Sequence, residues 1–131
     1  MSSLIIKSTH GSTQVELREH DADFFMVTIR DVTLQASAGV YHYGGDGIDK
    51  YFADLSENWQ GWSGPKEWES LEGTLKLEAT ADGKGHITLG VQLDYGTPYY
   101  WRIRALLILE AGQLERISKD ARKFAVSIGS A

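Results

Sequence analysis

The chain has 131 residues, a net charge of −5, 42% apolar and 24% charged residues, and no cysteine. That length suits a single domain spanning 1–131 with a core of its own, and the composition is that of a folded protein rather than a disordered or fibrous one. The missing cysteine excludes disulfides, thiolate nucleophiles and cysteine-based zinc sites.

Residues 1–7 contain no basic region leading into a long apolar core, and no apolar run approaches the ~20 residues that span a bilayer. The expectation is a cytoplasmic protein without membrane contact.

Alternation dominates the first third. Val15 and Leu17 alternate with Gln14, Glu16 and Arg18, and Phe25, Val27 and Ile29 alternate with Thr28 and Arg30. Val32, Leu34, Ala36, Ala38 and Val40 continue the pattern. A period of two with polar partners predicts half-buried antiparallel strands. The breaks at His10-Gly-Ser and at Glu19 to Asp23 read as turns.

The period then changes. Ile48, Tyr51, Phe52, Leu55 and Trp59 follow i, i+3, i+4, i+7, i+11, one face of a helix. Asp46 is the expected N-cap, Asp49 favours the first turn, and Gly61 to Pro65 stops the helix. On this reading Trp59 belongs to the core.

Strands return with Leu75, Leu77 and Ala79 and with Ile87, Leu89, Val91 and Leu93. Between them Asp82-Gly83 supplies the positive φ of a tight hairpin. Trp101, Ile103, Ala105, Leu107 and Leu109 form another strand with Trp101 facing inward. Its second half is apolar on both faces, which predicts a central strand covered on both sides. Leu114, Ile117, Ala121, Phe124 and Ile128 mark a second amphipathic helix. The expected fold is therefore α+β, an antiparallel sheet of about seven strands with two helices packed on it, in the order ββββ-α-βββ-α.

Charge is unevenly spread. Residues 46–82 carry nine acids against three bases, whereas residues from 84 onward carry seven bases against four acids. An acidic middle disfavours nucleic acid as a partner and suits a basic protein surface, although a merely solvated face has the same composition.

Catalytic and cofactor motifs are missing. His10 and His20 fall in expected turns, His42 follows a strand and His86 opens one, with no HxH or HExxH spacing to hold a metal. There is no Gly-x-Ser-x-Gly elbow, and Ser118-Lys119 lies on the final helix as solvent face. Tyr43-Gly-Gly-Asp-Gly precedes a helix, but Asp46 and Asp49 stand where an anion would sit. No catalytic residue, metal ligand or cofactor is expected.

The specialised segment is the stretch that holds Trp59, Trp62 and Trp68, interleaved with Glu67, Glu69 and Glu72. Trp62 and Trp68 lie outside the helical stripe. They either cover a sheet edge or serve as partner anchors.

An ordered series of residues carries a family resemblance: Phe52-x-x-Leu55, Trp59-x-Gly-Trp62-x-Gly64, Trp68-x-Ser-Leu-Glu72, Asp82-x-x-Gly-His86, and Leu109-Glu-Ala-Gly-Gln-Leu114. Over residues 48–126 the chain resembles the bacterial family known as domain of unknown function 6228. It is more loosely similar to the WapI-type immunity proteins, which neutralise contact-dependent polymorphic toxins.

The second resemblance implies a non-enzymatic immunity protein that binds and blocks a cognate toxin with a basic surface. The contact residues expected from charge and aromatic content are Asp46, Asp49, Glu57, Trp62, Glu67, Trp68 and Glu69. The alternative is a small-ligand binder or enzyme with a pocket between sheet and helices, lined by His42, Tyr43 or His86.

Overall fold

A computed structural model of the chain describes residues 2–96 and 100–129. Its first four strands, β1 (Ser3–Lys7), β2 (Gln14–Glu19), β3 (Phe24–Arg30) and β4 (Gln35–Tyr41), pair in chain order as one antiparallel sheet. The alternation that marks them is realised directly. Leu4, Ile6, Val15, Leu17, Phe25, Val27, Ile29, Ala38 and Val40 are all buried, while their sequence neighbours mostly face outward. Val32 and Leu34 are exceptions, 81% and 41% exposed in the turn before β4.

A short 3-10 turn (Gly44–Gly47) leads into α1 (Ile48–Glu57), which buries Ile48, Tyr51, Phe52 and Leu55. Two details of the expected helix change. Its N-cap is Gly47 rather than Asp46, which instead adopts a left-handed φ of 56°. Its C-cap is Asn58, whose side-chain amide donates to the Asp54 carbonyl at 2.8 Å. The helix therefore closes before Trp59, which is 55% exposed. The apolar stripe had placed that side chain in the core.

The remaining strands are β5 (Lys66–Glu69), β6 (Leu75–Ala81), β7 (His86–Tyr95) and β8 (Trp101–Glu110), a second four-stranded antiparallel sheet in chain order. The single sheet of about seven strands is thus corrected to two sheets of four. The additional strand is β5. Four residues directly after Pro65, with only Trp68 facing the core, carry too little alternation to read as a strand.

The second correction concerns β8. It lies at one end of its sheet, and Leu106 on its outer face is 53% exposed, so the double apolar face does not mark a central strand. At Ile108 the strand also forms a backbone seam with the first sheet. Thr9 N donates to the Ile108 carbonyl at 2.8 Å, and Ile108 N donates to Ser8 Oγ at 2.9 Å. The end of β1 is thereby fastened to β8.

After a short 3-10 turn, α2 (Leu114–Ser127) buries Leu114, Ile117, Ala121, Phe124 and Ala125. It packs on β1, β2 and α1, and Phe124 meets Phe25 edge to face at 5.5 Å between centroids. The inner faces of both sheets and both helices join one apolar cluster, so the α+β class stands. Among the described residues no helix is long and apolar enough to cross a membrane.

Candidate functional site

The acidic segment resolves into two populations. Four of its carboxylates, those of Asp46, Asp54, Glu78 and Asp82, are bonded within the fold, and a fifth, Asp49, is turned partly inward. Asp46 Oδ1 accepts from Tyr43 N at 3.0 Å and its Oδ2 from Leu71 N at 3.3 Å, so it ties the turn before α1 to the loop after β5. An aspartate tolerates the left-handed backbone there better than a bulkier residue.

Asp49 is partly buried, and its Oδ1 is shut away from solvent without a hydrogen-bond partner among the described residues. Asp54 pairs with Lys66 at 2.8 Å, Glu78 with Arg104 at 3.4 Å, and Asp82 with His86 at 3.0 Å.

Glu57, Glu67, Glu69 and Glu72 remain, all exposed and in no ion pair among the described residues. Three of these four lie on β5 and the turn after it. Glu67 and Glu69 share the outer face of the sheet with Lys76, Glu78, Gln92 and Arg104, around a hollow of about 320 Å³. The floor of that hollow is Gly90. A Cβ there would lie 2.7 Å from an Arg104 guanidinium nitrogen, so glycine lets the arginine lie across the sheet.

Two of the tryptophans of the acidic segment are built in, and Trp59 is not. Trp62 and Trp68 are partly buried against the core, and both indole N–H groups are used internally. Trp62 donates to the Ala79 carbonyl at 3.2 Å and Trp68 to the Asp46 carbonyl at 3.0 Å. Lys66 lies 5.8 Å from the Trp62 ring centroid, close enough for a cation–π contact. Tyr51, held as a donor because burial pushes its phenol well up, bonds the Lys66 carbonyl at 2.9 Å. Trp101 is only partly buried and stacks on Tyr95 at 5.4 Å. The large apolar side chains left open near these acids include Tyr43, 83% exposed, and Leu71, 61% exposed, in addition to Trp59. The Asp46 carboxylate links the backbones of Tyr43 and Leu71.

The histidines separate. His42 is buried against Phe25, and its Nδ1 accepts from Gly45 N at 3.1 Å. Its Nε2 has no hydrogen-bond partner among the described residues. Tyr43, beside it in sequence, faces solvent, and His86 lies on the surface, so the three do not line one pocket.

His86 instead meets His10. Their rings stand edge to face at 6.4 Å, with Glu110 against both: His10 Nε2 at 4.0 Å from Oε1 and His86 Nε2 at 3.5 Å from Oε2. One donor atom from each of the three residues falls within 4.8 Å of the others.

No spacing rule could reveal this cluster, because it depends on strand register. His86 is the cross-strand partner of Glu110, and the β1–β2 turn is carried to them by the seam at Ile108. The available signal was Asp82 four residues before His86 across an Asp-Gly turn.

No curated protein and no solved structure matches the chain, so the likeness to WapI-type immunity proteins rests on the residue pattern alone. The family resemblance stands and extends back through β2, β3 and β4. A family model matches residues 7–127, and the chain belongs to the family of unknown function DUF6228.

Proposed function

We propose that this chain is a non-enzymatic immunity-type protein that binds a cognate toxin through its acidic surface around β5. The observation that carries the reading is that Glu67, Glu69 and Glu72 on and just after β5, and Glu57 at the end of α1, are exposed and make no ion pair among the described residues. Fields of this kind accelerate encounter with a basic surface and select against acidic ones. Tyr43 and Leu71 supply apolar contact beside them, a role better suited to exposed side chains than to Trp62 and Trp68, which hold their own fold.

The test uses a toxin-like protein encoded beside this one, with association measured against salt. Replacing Glu57, Glu67, Glu69 and Glu72 with lysine slows association about tenfold or more at low salt. The parent's own rate falls as the Debye length shrinks from ~8 Å at physiological ionic strength to ~3 Å at 1 M. An unchanged low-salt on-rate in the quadruple variant refutes the reading.

A second reading, a small-ligand binder or enzyme, draws on the hollow over Gly90, whose 320 Å³ and mixed charges suit a small polar molecule. It lies on the outer face of the second sheet rather than between sheet and helices.

A further inference from the structure

We propose that His10, His86 and Glu110 form a surface site for a divalent first-row transition ion of the zinc type. Such an ion would fasten the β1–β2 turn of the first sheet to the second.

Two imidazoles and one carboxylate are a donor set that suits zinc and its neighbours, whereas magnesium and calcium favour oxygen donors throughout. Zinc bonds of ~2.0–2.1 Å at tetrahedral angles put donors roughly 3.3 Å apart. The His86 Nε2 to Glu110 Oε2 separation of 3.5 Å is close to that. His10 Nε2 lies 4.0 Å from the other carboxylate oxygen, Oε1, and one donor from each residue falls within 4.8 Å of the others, a spacing that rotation of the exposed His10 ring and the Glu110 carboxylate would close.

The surroundings hold the donors ready. The Asp82 carboxylate lies 3.0 Å from His86 Nδ1, where it holds the ring with Nε2 directed at the cluster. A carboxylate behind a histidine is the usual support for a ligating imidazole. Asp82 is itself fixed, because its Oδ1 accepts from Lys84 N at 2.7 Å and from His86 N at 3.1 Å.

Glu110 N donates to Gln113 Oε1 at 2.7 Å, which sets the backbone where β8 turns towards α2. On the other side, Ser8 Oγ donates to the His10 carbonyl at 2.7 Å while accepting from Ile108 N. The His10 turn is thus anchored two residues from Glu110. Two carboxylates face two imidazoles, a balance that favours a cation. The side chains are 66%, 46% and 45% exposed for His10, His86 and Glu110, so an ion reaches them from solvent and keeps a position open to water.

The experiment titrates zinc and cobalt(II) into tag-free full-length protein, followed by calorimetry, cobalt visible absorption and histidine NMR. One equivalent binds, magnesium and calcium do not compete, and cobalt shows the intense d–d bands of a four-coordinate ion. Zinc at a hundredfold excess over its Kd raises Tm by about 8–13 °C.

His10→Ala and His86→Ala remove binding while melting like the metal-free parent, and Asp82→Asn weakens binding by about 10–100-fold. In the unmutated protein, zinc shifts the imidazole signals of His10 and His86 and leaves those of His20 and His42 in place. This readout does not depend on any variant folding. Absence of binding at millimolar zinc overturns the proposal, as does binding that survives loss of both His10 and His86, or shifts at His20 instead.

Discussion

Trp68 separates a tryptophan that holds the fold from one that grips a partner, and two substitutions read the difference. The side chain lies opposite Leu77 on the inner face of β5, partly buried against the core, with its indole N–H 3.0 Å from the Asp46 carbonyl. Trp68→Phe keeps most of the apolar contact and deletes the donor, a loss of about 0.5–1.5 kcal/mol. Trp68→Ala removes both. A fully buried aromatic costs about 3–5 kcal/mol on truncation, and partial exposure brings the expected total to about 2–4 kcal/mol.

With a urea m-value of about 2 kcal/mol/M, the alanine variant unfolds roughly 1–2 M earlier than the parent, and the phenylalanine variant less than ~1 M earlier. The Asp46 turn should also loosen, so amides from Tyr43 to Gly47 exchange faster in both variants. If Trp68→Ala unfolds at the parent midpoint with an unchanged m-value, the indole does not brace β5 against the turn. It would then become free for partner contact after all.

Trp59→Ala is the control: with 55% of the residue exposed and the helix already closed at Asn58, it should cost no more than ~1 kcal/mol by the same denaturation assay. A loss of the size expected for a buried aromatic would restore Trp59 to the core. Asp94 tests electrostatics. Its carboxylate accepts from Arg102 Nε at 2.6 Å, which holds it below the usual carboxylate range, and its side chain is only 12% exposed. A depressed folded pKa stabilises the protein above the ordinary value of ~3.9 and loses that contribution as pH falls through the folded value. Asp94→Asn should therefore unfold at lower urea than the parent at pH 7, with the gap narrowing below about pH 4. A gap that persists or widens in acid would show that the Arg102 pairing is not its source.

What was legible in the sequence follows from what each pattern measures. Alternation reports which face of a strand is more buried, and it located β2, β3, β6 and β7 because in each the apolar residues line the inner face. It does not report which strands are neighbours, so one sheet could not be told from two, and β8 was placed centrally on the strength of Leu106 and Ile108. Leu106 is in fact exposed, and the Ile108 backbone is tied across to Ser8 and Thr9. Helical spacing likewise reports periodicity but not length, and Trp59 continues the spacing after the helix has ended.

The acidic segment was visible as a net charge, yet only geometry divides its carboxylates. Asp46 is bonded within the fold and Asp49 is partly buried without a partner among the described residues, while Glu72 joins the exposed group. The histidine cluster lies furthest from sequence reasoning. It requires the β7–β8 register to set His86 against Glu110, and a backbone seam between sheets to deliver His10. Both are long-range pairings that local periodicity does not encode, and that is where a chain with no catalytic motif still brings metal-ligating side chains together.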